Sequence, residues 1–324
     1  MRRILTGLGL LLAVAIISFF VFSPKLAEES MNKLVPTAQV VSPEAKALHN
    51  SLFIADLHGD TLMWKRNLLD RADRGHIDLP RLEEGHVGLQ VFSSVTKTPR
   101  GQNYDANPSN TDNITALAIG QMQPVRTWTS LLERSLWHAE KLRRAEAAAK
   151  GQLRIIRSAA DLDALVAARA KGGAVPVGAL LSIEGLQNLE GKRANLDVLY
   201  KAGFRMAGFA HFFDNEVAGS MHGEKKGGLT PLGKQILADM EARGMVVDYL
   251  TAHAGGSRRP QLWVRINPLD GEGLTDTNVP IALTPGEIAT FSHVALLPMH
   301  SGSRVLGVLS LQGLPRRLLL DFRD

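Results

Sequence analysis

The chain has 324 residues, enough for one large domain or two ordinary ones. Hydrophobic residues make up 45% and charged residues 21%, a balance that excludes wholesale disorder. The absence of cysteine excludes disulfides, Cys-ligated zinc fingers and thiolate catalysis. The net charge is +5, but the basic residues are interleaved with acidic ones along the sequence, which argues against a nucleic-acid partner.

The first predicted element is an apolar segment. Residues 4–22 carry no charge, follow Arg2 and Arg3, and as a helix would be about 28 Å long, close to the hydrocarbon thickness of a bilayer. We expect an uncleaved transmembrane anchor, with a cleaved signal segment or a buried helix as alternatives. The two arginines favour a cytoplasmic amino end in a bacterial inner membrane, with the main domain periplasmic or extracellular. In this interpretation residues 1–24 are the anchor or signal segment and residues 25–41 are a tether.

From residue 42 to residue 248, strand-like and helix-like patterns alternate. Helix starts are indicated by Ser42-Pro43, by the capping box that opens at Ser158, and by Thr230-Pro231. The predicted strands are residues 52–56, 87–94, 153–156, 175–183, 204–210 and 245–247, and the predicted helices include residues 121–150, 159–171, 192–202 and 231–244. This alternation favours a parallel α/β fold.

After Asp248 the pattern changes. Every lysine lies at or before Lys234, and the strand–helix rhythm gives way to Pro, Gly and short β-like runs at residues 262–266, 293–297 and 304–311. We interpret residues 249–324 as an atypical tail of unknown origin. A frameshift, a gene fusion and a real domain are open alternatives for it.

Polar side chains follow several of these strands. His58 and Asp60 come after the first strand with i, i+2 spacing, so that in extended backbone an imidazole and a carboxylate can share one metal ion. Glu184 ends the strand at 175–183, where a charged group must be solvated, paired or metal-bound. His211 ends the strand at 204–210. The alternatives are solvent exposure for Glu184 and a backbone-bonded, partly buried role for His211.

Taken jointly, these segments resemble the membrane dipeptidases, also called renal dipeptidases, of peptidase family M19. The resemblance covers about residues 43–248 and is carried by DLHGD at 56–60, HIDLPRLEEGHVGLQVFS at 76–93, SIEG at 182–185 and AHFFDNEVAGSMHGEKKGGLTPLG at 210–233. It implies a (β/α)8 TIM barrel of the metal-dependent hydrolase type. It also implies a site with two zinc ions, and hydrolysis of dipeptides by a hydroxide that bridges the metals.

The resemblance also implies the role of each residue. His58 and Asp60 match ligands of the first zinc, Glu184 matches the carboxylate that bridges both ions, and His211 matches the histidine that binds substrate and polarises its carbonyl. Glu184 and His211 are therefore the expected catalytic pair.

The chain departs from the family after Asp248. In the family, a histidine that binds the second zinc follows the strand that ends here at Asp248, but His253 comes two residues later than that position. A second ligand histidine is expected further along the chain, and Ser292-His293 lies about twice as far on as that. We therefore expect an incomplete barrel that holds one zinc or fewer and acts on its dipeptide substrate poorly. A truncated or fused, catalytically inactive homologue is one alternative, and a different metal-dependent hydrolase on the same barrel is a weaker one.

Overall fold

A computed structural model describes residues 2–34, 40–172, 175–248, 261–262, 281–282, 294–301 and 304–312. The helices are α1 (Arg2–Met31), α2 (Pro43–Ser51), α3 (Leu79–Glu84), α4 (Ile114–Gly120), α5 (Arg126–Thr129), α6 (Leu131–Ala148), α7 (Ala159–Ala170), α8 (Asn195–Ala202) and α9 (Pro231–Ala242). The strands are β1 (Ile54–Asp56), β2 (Val87–Val95), β3 (Leu153–Ile155), β4 (Val177–Glu184), β5 (Phe204–Gly208), β6 (Val246–Asp248), β7 (Gln261–Leu262), β8 (Ile281–Ala282), β9 (Val294–Ser301) and β10 (Arg304–Gln312).

Strands β1 to β6 form one parallel sheet, which curls as half of a barrel. The order is β1-β2-β4-β5-β6, and the short β3 also pairs with β4. Because β2 pairs along nearly the whole of β4, β3 and β5 divide the opposite edge of β4 between them: Leu153 pairs with Val177, and Leu181 with Phe204. The prediction of a parallel α/β fold is confirmed.

The core lies where α6, α8 and α9 cover this sheet. Leu142 of α6, Leu199 of α8 and Ile236 of α9 are fully buried in one apolar cluster with strand residues such as Leu181 and Phe204. Burying each such side chain contributes about 1.5–3 kcal/mol. The cluster therefore fixes β4 and β5, whose carboxyl ends lead into the candidate site.

The predicted helix starts agree with the structure, since each is set by a local cap. The hydroxyls of Ser42, Ser158 and Thr230 accept hydrogen bonds from backbone N–H groups three residues on. The continuous helix predicted over 121–150 is wrong. Residue 121 follows the end of α4, the one-turn helix α5 begins at Arg126, and the long helix begins only at Leu131, where the Ser130 hydroxyl caps it.

Helix α1 is apolar and long enough to cross a membrane over Ile4–Met31, by length and composition; a signal sequence near the amino terminus meets the same criteria. The helix does not stop with the apolar run at Phe22. It continues through Pro24 to Met31, so residues 25–31, which the sequence assigned to a tether, are helical.

In the tail, β9 and β10 pair as an antiparallel hairpin, and β7 pairs with β8. The hairpin overlaps the β-like runs predicted at 293–297 and 304–311. The predicted junction at residue 249, His253 and Ser292-His293 lie outside the described residues.

Candidate metal centre

The first half of the site is the turn after β1. The Asp56 carboxylate accepts a hydrogen bond from the backbone N–H of His58 at 3.1 Å, which bends the chain as the strand ends. The Gly59 carbonyl then accepts from the Ser93 N–H at 2.9 Å and fastens the turn to β2. A Cβ at Gly59 would overlap the terminal methyl of Ile77, so a larger residue there requires the Ile77 side chain to shift. His58 and Asp60 are thereby held beside β2.

The second half comes from the ends of β4 and β5. Glu184 is the last residue of β4 and lies opposite Val95 in the register with β2. At Gly185 the chain turns with a φ of 85°, and the Leu186 N–H donates to the Phe209 carbonyl at 3.2 Å. His211 follows β5, and its carbonyl accepts from the Ser220 hydroxyl. Both loops are thus tied together beneath the two side chains.

The structure brings the four predicted site residues together. The Nε2 atom of His58 lies 3.2 Å from an Asp60 carboxylate oxygen and 3.6 Å from Glu184 Oε2. The other Glu184 oxygen, Oε1, lies 3.0 Å from His211 Nε2. One potential ligand atom from each of His58, Asp60 and Glu184 lies within 4.8 Å of the others. The two oxygens of Glu184 therefore face two different histidines.

Burial differs across this cluster and sets its electrostatics. The side chains of His58 and Asp60 are 36% and 40% exposed, whereas those of Glu184 and His211 are 17% and 8% exposed. Hydrogen bonds to Asp60 and Glu184 raise the pKa of His58 to about 11. Burial opposes ionisation of Glu184, but hydrogen bonds from His211 and His58 outweigh it and lower its pKa to about 2. Burial raises the pKa of Asp60.

These residues fit a zinc ion by the chemistry of their donor atoms. Zinc binds imidazole nitrogen and carboxylate oxygen, and this cluster offers one imidazole and two carboxylates. The Oδ1 atom of Asp60 is buried and faces His58 Nε2 at 3.2 Å. Two carboxylates that converge with an imidazole on one point make a site that favours a cation. In the part of the chain that the structure describes, this is the one such group of three or more candidate ligands.

Sequence patterns missed the groups that surround this cluster. Tyr104 and His222 pack edge to face at 5.2 Å between ring centroids, His222 stacks on Phe212 at 4.7 Å, and Phe212 packs against His211 at 4.8 Å. The polar loop at 95–113 therefore meets loop 211–229 through a row of rings. The length and polarity of each loop indicated that it is more than a passive connection, but no local sequence pattern indicates that the two loops contact each other.

A cleft of about 420 Å³ opens beside the site. Its walls include Lys97, Gln187, Phe213, Asp214 and Lys225. The Gln187 amide donates to the Glu184 carbonyl and to the Thr96 hydroxyl, each at 3.2 Å, so the cleft adjoins the end of β4. It combines an aromatic wall with groups of both charges.

The family model of membrane dipeptidase, peptidase family M19, matches residues 42–256, about two thirds of the chain. An uncharacterized dipeptidase of Schizosaccharomyces pombe is 26% identical over 176 residues, which are 54% of this chain and 38% of that protein. Dipeptidase aclJ of Aspergillus oryzae is 27% identical over 209 residues, 60% of this chain and 44% of its own length. The chain thus spans less than half of the length of these curated relatives.

Two solved structures align with the chain over a similar span. The probable dipeptidase PvdM from Pseudomonas aeruginosa aligns with a TM-score of 0.48 at 19% identity, over 64% of this chain and 49% of that one. A metallopeptidase from Rhodobacter sphaeroides, solved with a phosphinate mimic of the dipeptide L-Ala-D-Ala, aligns with a TM-score of 0.46 at 18% identity, over 63% and 60%.

Proposed function

Because the chain belongs to the membrane dipeptidase family, we propose that it is a zinc-dependent hydrolase of dipeptides whose described half carries the ligands of one metal ion. The observation that carries this proposal is the convergence of His58, Asp60 and Glu184 at the carboxyl end of the sheet. In a complete (β/α)8 barrel, which we propose for the whole family member, that end is where the catalytic residues lie.

In this proposal His58, Asp60 and Glu184 would hold the first zinc ion. A zinc ion in such a site lowers the pKa of a water molecule toward neutrality and polarises a carbonyl group. Glu184 Oε2 lies 3.6 Å from His58 Nε2 and Oε1 lies 3.0 Å from His211 Nε2, which suits a carboxylate that serves two positions at once. The Glu184 side chain is only 17% exposed, so its charge is weakly screened by solvent.

His211 is the second working group. Its Nε2 donates to Glu184 Oε1 at 3.0 Å, and its Nδ1 is buried without a hydrogen-bond partner among the described residues. Burial at 8% exposure holds the ring in one orientation against Phe212. We propose that it binds the dipeptide and donates a hydrogen bond to the oxygen that gains charge as the peptide bond is attacked.

The number of metal ions separates an active enzyme from an inactive homologue. A second ion needs ligands beyond Glu184, and His253, the nearest candidate in sequence, lies outside the described residues. We propose that the chain binds one zinc or fewer and turns dipeptides over slowly, and that α1 is a membrane anchor with the site on the outer side. The domains proposed for it are the anchor or signal segment at residues 1–24, a connecting segment at 25–41 whose first part continues α1, the partial barrel at 42–248 and the tail at 249–324.

The test is metal analysis of the full chain after dialysis against zinc, together with hydrolysis of a panel of dipeptides. We expect about one zinc or less per chain, lost in Glu184→Ala and retained in Glu83→Ala, a control at an exposed glutamate of α3. Two tightly held zinc ions with rapid turnover that Glu184→Ala abolishes would show that the tail completes the site. A chain that retains no measurable zinc and hydrolyses none of the dipeptides would refute the zinc-dependent hydrolase and favour the catalytically inactive homologue.

A further inference from the structure

The amino-terminal helix makes a specific contact with the main domain. Glu28, near the end of α1, is 6% exposed although it is charged. Its Oε1 atom lies 2.6 Å from Arg66 Nε, and its Oε2 atom lies 3.2 Å from an Arg74 guanidinium nitrogen. Just beyond the helix, the Asn32 carbonyl accepts from the Gly75 N–H at 2.7 Å. Two ion pairs and one backbone hydrogen bond therefore hold this end of the helix against residues 66–75.

The pair is buried on both sides. The side chains of Glu28 and Arg66 are 7% and 9% exposed, so removing either partner leaves the other charge with little solvent to replace it. The next carboxylate on the same helix behaves differently, since Glu29 is 45% exposed and pairs with Lys25 at 3.6 Å. One acidic side chain of the helix is thus built into the fold, and its neighbour is a surface group.

Arg66 carries this contact to the candidate site. One guanidinium nitrogen of Arg66 donates to the Thr61 hydroxyl at 3.2 Å, and another donates to the Arg74 carbonyl at 3.0 Å. Thr61 directly follows Asp60 in the chain and begins the short 3-10 helix Thr61–Met63. A continuous set of hydrogen bonds and ion pairs therefore runs from Glu28 through Arg66 to the residue beside Asp60.

We propose that the amino-terminal helix is a positioning element of the metal centre, that Glu28 is its positioning residue, and that the mature chain keeps the helix. Cleavage of a leader between the apolar run and residue 28 would leave Glu28 on the mature chain but remove the helix that holds it, and cleavage beyond residue 28 would leave Arg66 buried without its carboxylate. This inference rests on the proposed zinc site, because its effect is on the geometry of Asp60.

The contact also leaves little room between membrane and domain. A helix rises 1.5 Å per residue, so Glu28 lies about 9 Å beyond Phe22, the last residue of the apolar run. Phe19 and Pro24 already lie beside Gly120 of α4. With the apolar run in a bilayer, no flexible stalk would separate the main domain from the membrane.

The experiment uses the full chain in detergent and zinc as the probe. Glu28→Gln keeps the shape of the side chain and removes its charge, and Glu29→Gln makes the same change at the exposed neighbour. We expect Glu28→Gln to weaken zinc binding at least tenfold and to lower Tm by about 3 °C or more, with Glu29→Gln unchanged in both. Intact mass of the membrane-extracted chain should show residues 1–32 retained.

The outcomes are distinguishable. If the unmodified chain binds no zinc, the proposed function fails before the variants are compared. If that chain binds zinc and Glu28→Gln binds it equally well, the positioning role is refuted, even where Tm falls, because a merely structural contact would lower Tm alone. A mature chain that begins after residue 28 and binds zinc with full affinity also refutes the inference.

Discussion

A methyl group at Gly185 tests whether the close approach of two loops fixes the site. Gly185 has a φ of 85°, and a Cβ there would overlap the Gln187 side chain and lie 3.0 Å from the His211 backbone nitrogen. The substitution Gly185→Ala therefore adds two costs: strain at a positive φ, and displacement of neighbours on both loops.

The size of each cost follows from the contacts. Gly185 has a ψ of 123°, outside the left-handed helical region, and an alanine held in such a sparsely populated conformation costs about 1–3 kcal/mol. To make room, the Gln187 amide must give up its bonds to Thr96 and to the Glu184 carbonyl, each worth about 1 kcal/mol. We expect Gly185→Ala to lower the free energy of unfolding by about 3–5 kcal/mol in total. Movement of the His211 backbone should also weaken zinc binding.

The matched control is Gly151→Ala. Gly151 has a φ of 89°, but no atom lies within 4 Å of the position that its Cβ would occupy. This variant should cost only the strain, about 1–3 kcal/mol. Urea unfolding of the full chain in detergent, followed by tryptophan fluorescence, measures both. If the two variants differ by less than about 0.5 kcal/mol, the argument that packing against Gln187 and His211 fixes this turn is wrong.

Three further changes have expected outcomes. In the metal-free chain, the lowered pKa of Glu184 stabilises the fold fully above pH 4.5, and that contribution is lost as the pH falls toward 2. The free energy of unfolding should therefore fall more steeply with decreasing pH in this chain than in Glu184→Gln, and equal slopes would contradict the assignment. Arg134→Met should cost about 3–5 kcal/mol in urea unfolding, because the side chain is 2% exposed and pairs with Asp112 at 2.7 Å, while Arg143→Met, at an exposed site on the same helix, should cost almost nothing. Alkaline phosphatase fused after residue 45 should be active in a bacterial host, and an inactive fusion would reverse the proposed orientation of α1.

Local signals account for much of what could be predicted. The caps at Ser158 and Thr230 involve residues three positions apart, and strand ends fall within two residues of the apolar runs that indicate them. The convergence of His58 and Glu184 was predicted for the same reason, since parallel strands bring their carboxyl ends to one edge.

Distant partners account for what could not be predicted. Residues 25–31 contain Lys25, Glu28 and Glu29, a polar composition that favours a tether; the helix persists because Glu28 finds two arginines far along the chain. The break in the helix expected over 121–150 depends on Ser130, whose hydroxyl caps α6 and donates to Glu190, sixty residues away. No periodicity of the local sequence contains these partners.

Strand β4 sets an order in which the chain can fold. Among the described strands, it alone pairs with three others. Its pairings with β3 and β5 join residues roughly two dozen positions apart, such as Leu153 with Val177 and Leu181 with Phe204, whereas Leu89 of β2 must find Gly178. Closing the shorter loops costs less chain entropy, so we expect a nucleus of β3, β4 and β5 with their helices.

That nucleus contains Glu184, and His211 follows its strand β5. It does not contain His58 or Asp60, which lie between β1 and β2 and take their places when those strands join the sheet. The two halves of the metal centre therefore belong to different stages of folding. The carboxylate forms part of the early core, and its histidine and aspartate partners join it last. A metal ion that binds all three can act only after the late stage, so it should slow unfolding and leave the rate of nucleation unchanged.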